Sequence, residues 1–376
     1  MMKVLMVNHT YLDLDSGGVY ASRAYANMFA DIADEMSMIY PEHPGRPLVK
    51  LSPRIRLLPI RTDGGHFRKF FRLLSTGNTH DFSVKHALAS GRYDLVVFNG
   101  SPCSYGQIDV AHSFGCKVIT IHHNFQLEYA KDNIRYFRRF SLGWVEKAER
   151  EAVLKSDLNL TLTESDQEQL YRYYDPARTS RIEVGGAFFL THDDRLTPED
   201  EHQPAAPHHF VITGNLSSVQ TWKSLQEWAD GYLDILKENV PGMSLTVAGR
   251  EPSKAFVADL ENRGIRVIPS PVSMREILLQ ASCYLCPINL GSGIKLRLLD
   301  GLKVGIPAVC HVSAARGYEP LVGRYVFVYE DCAGFEKALR EAMRCQASRK
   351  EIADAAYSLY SFDSGRERIL ELVGAL

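Results

Sequence analysis

Apolar segments that predict β-strands alternate with segments that predict helices along most of the chain. One series of strands begins at residues 3–7 and a second at 210–214, and the other strand segments are 55–60, 93–99, 117–122, 158–162, 181–184, 244–248, 265–268, 281–288 and 308–311. Strands that follow one another through helices pair in parallel. The sequence therefore predicts an α/β protein built from parallel sheets.

The length of the chain and one polar segment predict two domains. The chain has 376 residues, more than one domain of ordinary size contains. Residues 191–209 are rich in acidic residues, proline and histidine, which is typical of a linker. We therefore expect an N-terminal domain over 1–190, a linker over 191–209, a C-terminal domain over 210–360 and a final helix over 361–376.

A glycine loop follows the predicted strand at 281–288 and precedes an apolar segment that predicts a helix from about Ile294. The residues of this stretch are Gly291, Ser292, Gly293, Ile294 and Lys295. Glycines let the backbone approach a ligand closely, and a helix that starts there points free N–H groups at an anion. Lys295 adds a positive charge, and the carboxylate of Asp300 can accept hydrogen bonds from sugar hydroxyls. The stretch predicts a site for a nucleotide diphosphate sugar.

A second glycine pair, Gly17 and Gly18, opens the predicted helix after the first strand. On spacing alone, an ordinary strand-to-helix turn and a ligand-binding turn explain this pair equally well. The stretch lacks the G-x-G-x-x-G pattern, which disfavours an enzyme that uses a dinucleotide.

Two histidines lie at the end of the predicted strand 117–122. In open α/β sheets, ligands bind at the carboxyl ends of the strands. This position favours a catalytic role for His122, with His123 as a competitor for the same role. Asn124 and Glu128 are neighbouring candidates on the acceptor side.

Composition excludes several classes of protein. Lys and Arg total 43 against 45 Asp and Glu, a balance that argues against a nucleic-acid binder. The first apolar run is too short for a signal peptide, and no run of about 18 apolar residues is present to span a membrane. The 7 cysteines are scattered, which favours reduced thiols and a cytoplasmic location. Cys283 and Cys286 lie in an apolar strand without a second pair, so we interpret them as core residues and predict no metal site.

Two segments of the N-terminal half combine basic and aromatic residues. In the first, Arg68 and Arg72 accompany an apolar stripe at helical spacing, formed by Phe67, Phe70, Phe71 and Leu74. The second covers 135–140 and contains Arg135, Arg138 and Arg139. One interpretation is core aromatics with solvated arginines. The other is a surface for a lipid-linked acceptor or for peripheral contact with an anionic membrane.

The stretch 291–307 resembles the nucleotide-binding signature of the retaining GT-B glycosyltransferases of the group 1 family, glycosyltransferase family 4. One branch of that family has Gly-Ser-Gly-Ile-Lys-Leu-Lys, two apolar residues and Glu. This chain has Asp300 at that Glu and Ser292 at the family's first acidic position. The glycine pair after the first strand and the frame apolar-Thr-apolar-His at His122 are also similar to the family.

The resemblance implies two Rossmann-like domains facing a cleft, with the final helix packing back on the N-terminal domain. It also implies transfer of a sugar from a nucleotide diphosphate sugar to a glycan, glycolipid or glycoprotein, with retention of configuration and without a metal or cofactor. UDP-sugars are the commoner donors in the family and GDP-sugars the alternative. His122 would contact the donor sugar near its anomeric carbon.

The resemblance also locates the donor diphosphate in the C-terminal domain. The family's usual arginine after the first strand of that domain is replaced by Asn215, next to Gly214. We therefore expect Lys295 and Arg250 to carry the charge of the diphosphate.

Two other functions stay open at this point. A catalytically inactive, transferase-like partner or chaperone subunit is permitted by the departures at Ser292 and Asp300. A nucleotide-sugar epimerase on the same scaffold would use the same donor site without an acceptor.

Overall fold

The structure is a computed structural model that describes residues 2–14, 17–43, 51–60, 84–133, 142–291 and 293–376. The chain forms two compact units. The first contains Met1–Phe189 and Phe362–Leu376, and the second contains Leu190–Ser361.

The first unit contains a parallel sheet of 7 strands in the order β3-β2-β1-β4-β5-β6-β7. The strands are β1 (Lys3–Asn8), β2 (Glu35–Pro41), β3 (Ile55–Ile60), β4 (Leu95–Asn99), β5 (Lys117–His122), β6 (Leu158–Thr161) and β7 (Ile182–Val184). The order reverses between β1 and β4, which is where open α/β sheets bind ligands at the carboxyl ends of their strands.

Helices cover the sheet of the first unit. They are α1 (Gly17–Ile32), α2 (Lys85–Ser90), α3 (Ile108–Ser113), α4 (Gln126–Asn133), α5 (Leu142–Lys155) and α6 (Glu164–Tyr174), joined by the final helix of the chain, α14 (Phe362–Gly374). The final helix packs on α1, and a Cβ at Gly365 would lie only 2.7 Å from Met28 Sδ and 2.3 Å from Phe188 Cγ. The prediction that this helix packs back on the N-terminal domain is confirmed.

The second unit contains a parallel sheet of 6 strands in the order β10-β9-β8-β11-β12-β13. The strands are β8 (His209–Asn215), β9 (Ser244–Arg250), β10 (Arg266–Pro269), β11 (Cys283–Cys286), β12 (Ala308–His311) and β13 (Val326–Tyr329). The helices are α7 (Pro198–His202), α8 (Val219–Asn239), α9 (Lys254–Asn262), α10 (Met274–Leu279), α11 (Leu298–Leu302), α12 (Cys332–Met343) and α13 (Arg349–Tyr360). The α/β class with two parallel sheets is confirmed.

Residues 191–209, expected to be a linker, belong to the second unit. Two threonines, Thr191 and Thr197, each cap a short helical turn by pairing with an aspartate three residues later. Ion pairs attach these turns to the unit: Asp194 with Lys303 (3.0 Å), Asp200 with Arg275 (2.5 Å) and Glu201 with Lys350 (3.3 Å). The polar residues of this segment therefore form helix caps and ion pairs within the second unit.

Among the described residues, no helix is both long and apolar enough to cross a membrane. Five of the cysteines, including Cys283 and Cys286, are buried as free thiols. The two residues of the C-x-x-C pair lie in β11, as expected for core residues.

Candidate functional site

The glycine loop of the second unit lies between β11 and α11. Gly291 has φ +83° and Gly293 has φ +75°, conformations that side chains rarely allow. A Cβ at Gly291 would lie 1.8 Å from Nε2 of Gln220, whose amide donates to the carbonyl of Leu290. The positive φ angles favour glycine at both positions, and the Gln220 side chain of α8 lies against the first of them. Ser292 lies outside the described residues.

The helix after this loop begins later than the sequence predicted. It starts at Leu298, with Arg297 as its cap, and Ile294 and Lys295 lie in the loop. The Lys295 side chain is buried, with Nζ donating to the carbonyls of Gly291 (2.7 Å) and Gly293 (3.1 Å). The prediction of a helix from Ile294 is wrong because the left-handed glycines direct carbonyls at the ammonium group, which holds the segment as a loop. Lys295 thereby places its positive charge inside the loop.

Arg297 is a candidate that the sequence analysis missed. Its Nη2 donates to Thr221 Oγ1 over 3.0 Å, and its Nη1 lies 3.5 Å from the carbonyl of Thr213. A Cβ at Gly214 would lie 2.6 Å from Arg297 Nη1, so the guanidinium lies against the glycine at the end of β8. The signal was present in the sequence, since Arg297 stands where the family signature has its second lysine.

Asp300 lies on α11, and its side chain is hydrogen-bonded to Thr213 of β8. Its Oδ2 accepts a hydrogen bond from Thr213 Oγ1 over 2.8 Å, and Oδ1 is 3.8 Å from Lys303 Nζ. Burial raises the pKa of Asp300, opposed by Lys303, Thr213 and Arg297. With its side chain still 33% exposed, the carboxylate can reach a ligand.

Asn215 and Arg250 are paired residues at the ends of β8 and β9. The side chain of Asn215 accepts from Ser217 N (3.1 Å) and Ser217 Oγ (2.7 Å), an Asx turn that leads into α8. Arg250 is exposed. The second unit thus brings Gly214, Asn215, Arg250, Arg297 and Asp300 to the carboxyl ends of its central strands.

The glycine pair of the first unit lies at the start of α1. The helix begins at Gly17, and a Cβ at Gly18 would meet nothing within 4 Å. Packing within the described residues therefore does not require a glycine at 18. Both glycines are exposed.

His122 ends β5 with its ring directed into the first unit. The residue is 2% exposed, and Nε2 lies 3.0 Å from Asn159 Oδ1. Its Nδ1 is 3.8 Å from the carboxylate of Glu149, which is fully buried and accepts from the Tyr174 hydroxyl over 3.0 Å. His123 directly follows β5, and its ring has different surroundings from that of His122.

His123 lies in a polar cluster with two residues that the sequence analysis missed, His9 and Asn99. Its Nε2 is 2.6 Å from Asn99 Oδ1, and its ring centroid is 6.4 Å from that of His9. Burial, with smaller contributions from His9 and His122, lowers the pKa of His123 to about 3. Burial also lowers the pKa of His9. His9 directly follows β1 and Asn99 ends β4, so the rule of carboxyl strand ends would have found both.

The other acceptor-side candidates make fewer hydrogen bonds than His123 or lie outside the described residues. Asn124 is partly exposed, and its Oδ1 is buried without a hydrogen-bond partner in the described part of the chain. Glu128 lies on α4 and accepts from Gln169 Nε2 over 3.4 Å. Arg68, Arg72 and the segment 135–140 lie outside the described residues. Within the ranges that the structure describes, no group of three or more His, Cys, Asp or Glu residues is placed to hold a metal ion.

Comparison with solved structures establishes the fold. HepE of Anabaena, solved in complex with UDP, has a TM-score of 0.70 at 12% identity, over 100% of both chains. Sucrose-phosphate synthase from Thermosynechococcus elongatus has a TM-score of 0.72 at 12% identity, over 100% of this chain and 99% of that one. The lipopolysaccharide outer core galactosyltransferase WaaB has a TM-score of 0.65 at 13% identity, over 100% and 99%. The GT-B fold of glycosyltransferases thus extends over the whole chain.

Sequence comparisons add nothing to this. No protein-family model matches the chain. No curated protein matches it either.

Proposed function

We propose that this chain is a glycosyltransferase that moves a sugar from a nucleotide diphosphate sugar to an acceptor hydroxyl, with retention of configuration and without a metal. The observation that carries the proposal is the meeting of the glycine loop, Arg297 and Asp300 at the carboxyl ends of β8 and β11. A GT-B fold with this group of residues supports a donor site in the second unit. UDP is the favoured nucleotide, since HepE, with the same fold, was solved with UDP and with UDP-glucose.

Each polar residue of the second unit has a role in this proposal. Asp300 accepts hydrogen bonds from the ribose hydroxyls, and Arg297 and Arg250 bind the diphosphate. Lys295 shapes the loop and adds positive charge beside the leaving group. As the bond from the anomeric carbon to the diphosphate breaks and the bond to the acceptor oxygen forms, fixed donors and cations stabilise the charge that develops on the diphosphate.

In the first unit we assign the role near the donor sugar to His123 in place of His122. The His122 ring is enclosed between Asn159 and Glu149, whereas the His123 residue is partly exposed. Of the two histidines, only His123 is more than marginally exposed, which favours it for contact with a sugar. The sequence motif therefore identifies the correct strand end, but the proposed contact residue is the next one along the chain.

A lipid-linked acceptor at an anionic membrane is part of the proposal on the sequence alone. The basic residues beside the apolar stripe at 67–74 motivate it. Each Lys or Arg near such a surface contributes roughly 1 kcal/mol, and salt weakens the attraction. Co-sedimentation with anionic vesicles that disappears at high salt would support it, and equal binding to neutral vesicles would contradict it.

Binding and turnover test the proposal in two steps. A thermal-shift panel of UDP, GDP, ADP and CMP should raise the melting temperature with one base preferred, because a ligand of the folded state stabilises it. Release of nucleotide from the matching donor sugar should then be measured with and without glycan acceptors. Binding without any release would favour the inactive partner subunit, and no shift with any nucleotide would overturn the donor site.

A further inference from the structure

Asn99 lies between two imidazole rings at the end of β4. Its backbone carbonyl accepts a hydrogen bond from His9 Nδ1 over 2.7 Å, and its side-chain Oδ1 is 2.6 Å from His123 Nε2. Its amide Nδ2 donates to the backbone carbonyl of Ser22 over 3.1 Å. Asn99 is fully buried, so these contacts fix it on three sides.

The Ser22 carbonyl decides which end of the Asn99 amide meets His123. A carbonyl oxygen only accepts hydrogen bonds, so the amide nitrogen must lie toward Ser22 and the amide oxygen toward His123. His123 Nε2 must therefore carry a proton, which leaves Nδ1 of the neutral ring without one.

The hydrogen bond of His9 fixes its tautomer in the same way, but with the proton on the other ring nitrogen. The backbone carbonyl of Asn99 requires a proton on His9 Nδ1, so Nε2 of the neutral ring is unprotonated. Burial lowers the pKa of both histidines, which keeps both rings neutral at physiological pH. One buried asparagine thus contacts two neutral rings through different nitrogens.

We infer that Asn99 is a positioning residue that holds His9 and His123 in opposite neutral tautomers, so that each ring offers one unprotonated nitrogen to a ligand. Among the described residues, His123 Nδ1 is buried and has no hydrogen-bond partner, and His9 Nε2 makes no hydrogen bond. Two such nitrogens accept from O–H groups and repel the oxygens of phosphate or carboxylate. The matching ligand group is a neutral hydroxyl, and only its assignment to a sugar rests on the proposed function.

Gly100 supports the arrangement from the next position in the chain. It has φ +123°, and a Cβ there would lie 2.1 Å from His9 Nδ1. The close approach of His9 to the Asn99 carbonyl therefore depends on a glycine. Gly100→Ala should displace His9 and leave the contact of Asn99 with His123 in place.

The tautomers can be measured directly on the full-length protein without ligand. Long-range proton–nitrogen correlation spectra of the ¹⁵N-labelled imidazole rings report which nitrogen of each ring is protonated. His9→Gln and His123→Gln assign the two signals by their loss. We expect Nδ1–H for His9 and Nε2–H for His123, each in roughly fivefold excess or more over the other tautomer. The same protonated nitrogen on both rings would overturn the inference.

Two variants of Asn99 separate positioning from a general structural effect. Leucine has the branched shape of asparagine without its polar atoms, so Asn99→Leu should abolish the tautomer excess of His123 while His9, bonded to the backbone, keeps its own. If that variant does not fold, Asn99→Asp provides the test, because a carboxylate at Nε2 should raise the pKa of His123 by about 1–3 units. Asn159→Leu, which alters the partner of His122, is the matched control and should leave both signals unchanged.

These outcomes are independent of turnover. The predicted tautomers in a protein that transfers no sugar would uphold the inference and count against the proposed function. A tautomer of His123 that is the same in wild type and Asn99→Leu would overturn the inference whatever the activity.

Discussion

Thr213 Oγ1 donates a hydrogen bond to Asp300 Oδ2 over 2.8 Å. The Tyr284 hydroxyl lies 2.8 Å from the same threonine oxygen. A threonine hydroxyl has a single proton, so the tyrosine must donate to the threonine. The orientation of the candidate ribose-binding carboxylate is therefore set by buried side chains of β8 and β11, and α11 supplies only its backbone position.

Asp300→Asn should weaken binding of the nucleotide diphosphate and of the donor sugar alike. The substitution keeps the size of the side chain and removes the charge that accepts hydrogen bonds from ribose, a loss of about 1–3 kcal/mol. Isothermal titration with nucleotide, with circular dichroism to confirm folding, measures it. Unchanged affinity for the nucleotide would remove Asp300 from the site.

Thr213→Val should have a smaller effect of the same kind. Valine preserves the shape of threonine but leaves one oxygen of Asp300 and the Tyr284 hydroxyl without their bond, so the carboxylate is less well oriented. We expect nucleotide affinity to fall by about 0.5–1.5 kcal/mol. In the double variant with Asp300→Asn the two losses should not add, because both act on one contact. Full additivity would show that Thr213 acts elsewhere.

Arg297→Met should weaken a nucleoside diphosphate more than the corresponding nucleoside, because the guanidinium at Gly214 is assigned to the phosphates. A hydrogen bond to a charged group contributes about 1.5–3 kcal/mol. Lys254→Met, which removes an exposed positive charge at the start of α9, is the control for long-range attraction. Equal losses in the two variants would mean that Arg297 contributes only through net charge.

Features of this site that depend on residue type and spacing could be predicted from the sequence, and features that depend on the direction of a backbone or side-chain group could not. The glycine loop and Asp300 follow from residue types at fixed spacing, and those positions survive small errors in the secondary structure. The start of α11 could not be predicted in this way. It depends on the direction of the Gly291 and Gly293 carbonyls, which accept hydrogen bonds from Lys295 and keep that residue in the loop. The sequence also could not predict which way the His122 ring points, because an error of one residue in the position of a strand exchanges the two faces of the sheet.

Two strands of the sheets were missed for a related reason. β2 ends in Tyr40 and Pro41, and β13 is the short segment Val326–Tyr329 between turns. A helical pattern flanks each of these segments on one side only, which made both strands hard to recognise from the sequence. Arg297 was not predicted although the signature contains it, because its contact with Gly214 depends on the turn that precedes α11, which residue spacing does not reveal.

His123→Ala should reduce turnover by about tenfold or more while nucleotide affinity stays within a few fold. The ring is assigned to the sugar, where a lost hydrogen bond to a buried partner costs about 1–3 kcal/mol. His122→Ala should instead lower stability, since it removes a buried ring next to Asn159 and Glu149. Steady-state kinetics and thermal melting on both variants distinguish the two. The reverse pattern would return the role to His122.

Mild acid should destabilise the protein through its neutral histidines. The pKa of His123 is lowered to about 3 and that of His9 is lowered as well, both chiefly by burial. The unfolded chain therefore takes up protons below its ordinary histidine pKa of about 6.5 before the folded chain does, and stability falls as the pH falls from there.

The slope of this loss identifies the histidine responsible. Each imidazole that stays neutral in the folded state should contribute about 1.4 kcal/mol per pH unit to the free energy of unfolding. His123→Gln, which keeps a hydrogen-bond donor for Asn99 without a titrating ring, should reduce the slope by about half that amount at pH 6.5 and by nearly all of it at about pH 5. Urea unfolding at a series of pH values measures it, with His86→Gln on the exposed side of α2 as the control. If the wild-type slope persists in His123→Gln, the ring is charged in the folded protein, and its assignment as a neutral hydrogen-bond acceptor for the sugar does not hold.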